Sequence, residues 1–375
     1  MKLTLLLASA LAFVPFTAFS QTASAPHPAI TTVNPDDSIT FRLTYPGAKH
    51  VIVTTDASLR PLTMTKDANG VWSVTTPPLA PEHYQYTFVV DGVSMLDPLN
   101  RDVHPNFVGF YSDILVPGNP PKPWELTDIP HGNVTRHFYT THIGLHYPYN
   151  QTAYVVYTPP GYNPKLKGGY PVLYLLHGYS DTEEGWIRSG KANLMLDTLL
   201  ANDKIVPMVV VMPRGYGDLD VVAPGQHSQA MFVQNGELFG QMLLKEIIPA
   251  IQHTYNVAKG RQNRAIAGLS MGGSQSLLIG LSHPELFAWV GGLSAGLPTT
   301  GFDRMLPAID AHKDKFRLVW IACGTDDPLI AWNRAFVAWA RKKGLPVTAV
   351  EKPGAHTWIV WRPSLLALAP LLFRK

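Results

Sequence analysis

At 375 residues the chain is long for one compact domain and long enough to bury more than one core. Charged residues make up only 15%, and the formal charge of +3 is not gathered into basic runs, which argues against nucleic acid or an anionic membrane as partner. The single cysteine, Cys323, excludes an intramolecular disulfide, and its apolar neighbours at 318–322 mark it as a buried structural thiol.

In chain order, Met1-Lys2, the apolar run 3–16 and the small-residue site Ala18-Phe19-Ser20 before Gln21 read as a secretory signal peptide over residues 1–20. The run is too short to span a bilayer, and no later stretch is long enough. The expectation is a secreted or periplasmic protein without a membrane anchor after cleavage; no cysteine near the site suggests a lipid attachment.

Residues 21–116 read as all β. The runs 38–45, 49–55, 71–76 and 84–90 are rich in β-branched and aromatic residues, separated by Pro46-Gly47, Asn69-Gly70 and Asp91-Gly92. Tyr84, Tyr86, Phe88 and Val90 alternate with Gln85, Thr87 and Val89, as a strand with one core face requires. A small immunoglobulin-like β-sandwich is expected. Four prolines in residues 117–123 then mark a semi-rigid linker, taken as 117–129.

From 130 to 375 strands alternate with helices. Runs 134–141 and 152–158 read as antiparallel opening strands. The unbroken apolar runs 172–176 and 208–212 suit strands buried on both faces of a parallel sheet. Helices are expected at 192–201, 238–255 and 364–373, and further strands at 265–269, 290–293 and 318–322, which together predict a doubly wound α/β sheet.

In that sheet, an apolar strand breaks at Gly268-Leu269-Ser270-Met271-Gly272 and resumes as a helix. Such a nucleophile elbow lifts one serine hydroxyl clear of the sheet, with glycines where strand and helix come too close for a β-carbon. Gly292-Leu293-Ser294-Ala295-Gly296 matches the same pattern, but Pro298 and Gly301 follow it instead of a helix, so Ser270 is the candidate nucleophile. A serine hydroxyl needs a base, and a histidine base needs a carboxylate. Downstream, Asp326 and Asp327 follow the strand at 318–322; Asp327 is chosen as the acid, with Asp326 as the alternative and helix capping as the competing role. Of the later histidines, His283 and His312 precede the acid, and only His356 follows it. Backbone N–H groups of Met271 and Tyr179 are the expected oxyanion donors. His177 is expected to shape its loop, no second ligand standing at metal-binding spacing, and no cofactor or metal is implied.

Tyr174-Leu175-Leu176-His177-Gly178, Lys191-Ala192-Asn193, Gly268-Leu269-Ser270-Met271-Gly272-Gly273, Cys323-Gly324-Thr325-Asp326-Asp327 and His356-Thr357-Trp358 resemble the esterase-D-type α/β-hydrolases. Within them the chain is most similar to carbohydrate esterase family one, the feruloyl and acetylxylan esterases. The β-region, through residues 84–92 and Asp97-Pro98-Leu99-Asn100, resembles early-set glycogen-binding-type modules. The resemblance implies a serine esterase acting on a carbohydrate-linked ester such as feruloylated or acetylated xylan. Siderophore esterases and acyltransferases share the scaffold, and a carbohydrate-binding protein with an inert hydrolase domain is the non-enzymatic alternative. Trp186 and Trp358 are candidates for an aromatic acyl pocket, and Trp72 for an exposed sugar platform.

Overall fold

The computed structural model describes residues 30–374, so the expected signal segment lies outside the described residues. Two antiparallel sheets form the N-terminal region. One orders Thr32–Val33, Ile39–Thr44, Val71–Thr75 and Thr65–Lys66. The other orders Leu62–Thr63, Val51–Thr55, Glu82–Val90, Phe110–Val116 and Val103–Pro105, with Val93–Met95 also paired to Glu82–Val90. Phe41, Leu43, Val53, Tyr86 and Phe88 share the core between them. The Asp91-Gly92 turn closes as expected of that dipeptide, with φ of 48° and 90° and Val90 paired to Val93.

Trp72 is not a sugar platform. It is buried in this core, and its indole N–H donates to the Tyr45 carbonyl at 3.0 Å. The strand Phe110–Val116 went unforeseen because Ser112 and Asp113 interrupt its apolar pattern. Both are nonetheless buried, Ser112 accepting from the Asp97 N–H and Asp113 pairing with His83 and Lys191.

Residues 117–129 carry neither helix nor strand. They are pinned by Glu125 Oε1, which accepts from the Gly118 and Lys122 N–H groups at 2.8 and 2.9 Å, and by the buried Trp124.

The remaining chain builds an eight-stranded mixed sheet from Asn133–Thr140, Gln151–Thr158, Val172–Leu176, Val209–Pro213, Arg264–Leu269, Trp289–Leu293, Leu318–Gly324 and Val347–Lys352. Numbered along the chain, the strands lie in the order 1-2-4-3-5-6-7-8, antiparallel up to the second and fourth and parallel from there on. Apolar cores cover both faces, which is why the central strands read as unbroken apolar runs.

Three details differ from expectation. The edge strand Val347–Lys352 was missed because its half-exposed Val-Thr-Ala-Val-Glu-Lys lacks the apolar run of its neighbours. The helix expected from 238 begins at Gln229, capped by Ser228 Oγ accepting from the Met231 N–H. The last helix is Trp358–Leu368 and runs through Pro363, its apolar packing outweighing the hydrogen bond the proline cannot make.

That last helix also ties the two regions together. Arg362 is fully buried and donates to Glu82 Oε1 (2.8 Å), the His83 carbonyl (3.2 Å) and the Ser189 carbonyl (2.9 Å). Beside it Gln85 Nε2 donates to Ser189 Oγ at 2.6 Å, and Lys191 Nζ lies 3.2 Å from Asp113 Oδ2. The polar outer face of the second β-sheet is therefore docked on the α/β region.

Candidate active site

Strand Arg264–Leu269 passes into helix Met271–Ser282 through a single residue, Ser270, at φ 52° and ψ −114°. A non-glycine residue in this conformation is strained, and it is held by the Ser270 N–H donating to the Leu293 carbonyl at 2.8 Å. The flanking glycines answer to close contacts. A β-carbon on Gly272 would sit 2.4 Å from the His177 carbonyl oxygen, and one on Gly268 would sit 2.6 Å from the Gly272 backbone.

His356, on the loop after the edge strand, places Nε2 3.0 Å from Ser270 Oγ and Nδ1 2.8 Å from Asp327 Oδ2. Asp327 is buried, and its other oxygen accepts from the Leu329 N–H at 2.8 Å, so one carboxylate both closes the turn before helix Ile330–Lys342 and orients the histidine. Burial alone would raise its pKa. Hydrogen bonds from His356, the Leu329 N–H and the Ser294 hydroxyl outweigh that and hold it below the ordinary carboxylate range. Asp326, the alternative acid, is exposed and accepts from the Gly354 N–H at 3.1 Å, bracing the loop that carries His356. The arrangement can take a proton from Ser270 Oγ onto an imidazole whose positive charge faces a carboxylate.

Ser294, in the second serine motif, is fully buried and accepts from Trp361 Nε1 at 3.1 Å. Trp361 in turn stands edge-on to His356, with ring centroids 4.9 Å apart and planes at 90°. Ser294 thus supports the acid, and Trp361, which no motif marks, supports the base. His283 pairs with the exposed Glu285, apart from this group. Cys323 is buried, and burial pushes its thiol up to about 12.

Among the described residues, neither the Met271 nor the Tyr179 N–H has a backbone or side-chain acceptor. Met271 opens its helix and Tyr179 sits on the loop facing the elbow, so both are available to an oxyanion. His177 shapes that loop from below. Its Nε2 accepts from the Gly215 N–H at 2.8 Å, which leaves Nδ1 to donate to the Gly178 carbonyl at 2.8 Å, and burial lowers its pKa and keeps it neutral. The β-region holds the same loop from above. The Phe107 N–H donates to the Ser180 carbonyl at 2.7 Å, and His104 Nε2 lies 3.1 Å from Asp181 Oδ1.

Ser270 and His356 open on a cleft of about 520 Å³ whose walls come from both regions. Trp358 lines it. Trp186 does not: it is buried, donates from Nε1 to the Leu176 carbonyl at 2.9 Å, and packs edge-on against Trp358 with centroids 5.2 Å apart. Trp186 is therefore a supporting residue, not a pocket wall. Thr54, Asp56, Gln85, Asn106 and Tyr111 of the β-region also face the cleft, although nothing in their local sequence marks them.

Away from the cleft, the His146, Asp218 and Asp220 side chains converge, His146 Nδ1 lying 3.0 Å from Asp218 Oδ1 and 2.9 Å from Asp220 Oδ2. The Asp218 hydrogen bond raises the His146 pKa, and His146 Nδ1 already serves both carboxylates.

The model of the Esterase family, described as "Putative esterase", matches residues 148–372. The endo-1,4-beta-xylanase/feruloyl esterase of Xylanibacter ruminicola is 33% identical over 354 residues, 91% of this chain but 46% of that protein. The chain thus spans less than half of that relative's length. The acetyl esterase of Caldicellulosiruptor saccharolyticus is 24% identical over 50% of this chain and 78% of its own. Among solved structures, a CE1 ferulic acid esterase from Anaeromyces mucronatus in complex with ferulic acid aligns with a TM-score of 0.58 at 20% identity, over 66% of this chain and 93% of that one. The enterochelin esterase of Shigella flexneri aligns with a TM-score of 0.66 at 18% identity, over 91% and 94%. At these identities the two structures speak to the fold alone.

Proposed function

The chain belongs to the Esterase family, and from that premise we propose that it is a serine carboxylic-ester hydrolase that removes feruloyl or acetyl groups from a plant polysaccharide such as xylan. The observation that carries this is the hydrogen-bond chain from Ser270 through His356 to Asp327. Ser270 Oγ attacks the ester carbonyl as His356 Nε2 takes its proton, and Asp327 stabilises the imidazolium. The Met271 and Tyr179 N–H groups hold the oxyanion, a contribution of about 3 kcal/mol each. His356 then returns the proton to the departing alcohol, leaving an acyl-enzyme on Ser270. Water, deprotonated by the same histidine, releases the acid.

The substrate class is carried over from the relatives that are named feruloyl and acetyl esterases. A siderophore ester is the second reading, favoured by the enterochelin esterase's match across nearly the whole chain. Against it, no lysine or arginine is among the described residues lining the cleft, and a ferric catecholate complex is anionic. We read the two-sheet region as an early-set-type domain, the residues before it as an export signal, and 117–129 as the boundary between the domains.

The test is parallel hydrolysis of a nitrophenyl ester, methyl ferulate, acetylated xylan and a catecholate siderophore by wild type and Ser270→Ala. Loss of activity on the order of a million-fold in the mutant is expected, with turnover of the feruloyl or acetyl ester. An undiminished mutant rate overturns the nucleophile, and preference for the siderophore overturns the substrate.

A further inference from the structure

On the second β-sheet, Tyr84, Tyr86 and Phe88 point into the core, so their strand neighbours His83 and Gln85 point the other way. By the register of the pairs Gln85 with Asp113 and Thr54 with Thr87, Asp113, Tyr111 and Thr54 belong to that same outer face. Half of the face is closed by the α/β region, through Arg362, Ser189 and Lys191. The other half is left open, and what it opens onto is the cleft holding Ser270 and His356.

The chemistry of this open half is distinctive. Thr54, Asp56 and Asn106 offer hydroxyl, carboxyl and amide groups, and Tyr111, 37% exposed, offers an aromatic ring. Tyr111 is backed by His104, with ring centroids 6.4 Å apart and planes at 23°, and His104 is itself fixed by Asp181. One side of the ring is thereby preset. With no lysine or arginine among the described lining residues and two carboxylates, Asp56 and Asp181, among them, this wall disfavours an anionic group. A neutral group with several hydroxyls and a flat C–H face finds both hydrogen-bond partners and a stacking surface.

We propose that this wall of the cleft is the subsite for the alcohol side of the ester, binding the neutral sugar from which the acyl group is removed, with Tyr111 as platform and Asn106 and Asp56 as hydrogen-bond groups. The proposal rests on the esterase reading and adds to it where the leaving group sits. It also gives the β-region a role within the reaction: the β-sheet reads the sugar one bond away from the carbonyl that Ser270 attacks.

The test uses two esters of one acid that differ only in the alcohol, feruloyl arabinose and methyl ferulate, with an acetylated pentose and methyl acetate as a second pair. The ratio of kcat/KM for sugar over methyl ester is compared in wild type, Tyr111→Ala, Tyr111→Phe and Asn106→Ala. The expected result is a ratio about tenfold lower in Tyr111→Ala, largely restored in Tyr111→Phe, and lowered in Asn106→Ala, the scale of one lost contact of about 1.4 kcal/mol. An unchanged ratio in both alanine variants overturns the subsite, as does an equal loss on both alcohols, which marks the wall as support only. Should wild type cleave none of the four esters nor a nitrophenyl ester, the esterase reading itself fails. Cleavage of the methyl esters with unmoved ratios removes the subsite alone.

Discussion

Replacing Asp327 with asparagine should cost about 10⁴-fold in kcat, close to 5 kcal/mol of barrier. The reason lies in how the two carboxylate oxygens are committed. Oδ1 accepts from the Leu329 N–H at 2.8 Å, and Oδ2 faces His356 Nδ1 at 2.8 Å. An asparagine has one acceptor oxygen, and the Leu329 N–H claims it. The amide NH₂ must then face Nδ1, which has to become an acceptor, so the ring proton moves to Nε2. From there it points at Ser270 Oγ, 3.0 Å away, and cannot receive the hydroxyl proton. The Leu329 N–H keeps its acceptor, so stability should change little while turnover collapses. The assay is kcat on a nitrophenyl ester alongside thermal melts, with Asp326→Asn as control, expected within about threefold of wild type because Asp326 is exposed and touches only the loop. A kcat above a tenth of wild type in Asp327→Asn, or an equal loss in Asp326→Asn, would mean that Asp327 does not set the His356 tautomer.

Arg362→Leu leaves Glu82 buried without its partner and should lower unfolding free energy by about 3–5 kcal/mol in urea titrations. Burial raises the Glu82 pKa, with Arg362 opposing, so a protonated Glu82 needs no partner and the loss should shrink as pH falls towards 4. Gly272→Ala forces a methyl against the His177 carbonyl, pushing the elbow helix away from the oxyanion loop, and kcat should fall at least about tenfold with little change in KM. Burial lifts the Asp56 carboxyl to about 7, helped by the repulsion of Asp113 and Glu82 and opposed by Arg362 and the Gln85 N–H, with His83 and Lys191 paired to Asp113 close by. Its folded pKa lies above its unfolded one, so its contribution is complete below about pH 4 and is lost as pH rises through 7. Asp56→Asn, which keeps the acceptor for the Gln85 N–H, should therefore gain melting temperature relative to wild type between pH 5 and pH 8; a difference independent of pH contradicts it.

Much of the α/β architecture was legible because its strands are buried on both faces and read as apolar runs, and because an elbow needs glycine where Gly268 and Gly272 stand. The order of Ser270, Asp327 and His356 along the chain picked out the three side chains that meet in the fold. What escaped notice depends on docking. Tyr111, Asn106 and Asp56 lie well over a hundred residues from Ser270 in sequence and reach the cleft only because Arg362 and Lys191 hold the β-sheet against the helix face. A strand such as Phe110–Val116, whose polar side chains are satisfied by another region, has no alternating pattern to betray it. Trp72 and Trp186 misled for the opposite reason, since tryptophans near a site or on a strand pack as readily as they bind.

The most direct test of the central claim is to quench a reaction of the protein with a nitrophenyl ester within its first turnover and map the acyl group by peptide mass spectrometry. An acyl ester is expected on the peptide containing Ser270, accumulating in wild type and lost in Ser270→Ala. Acylation of another residue, or catalytic turnover that survives in Ser270→Ala, would contradict it.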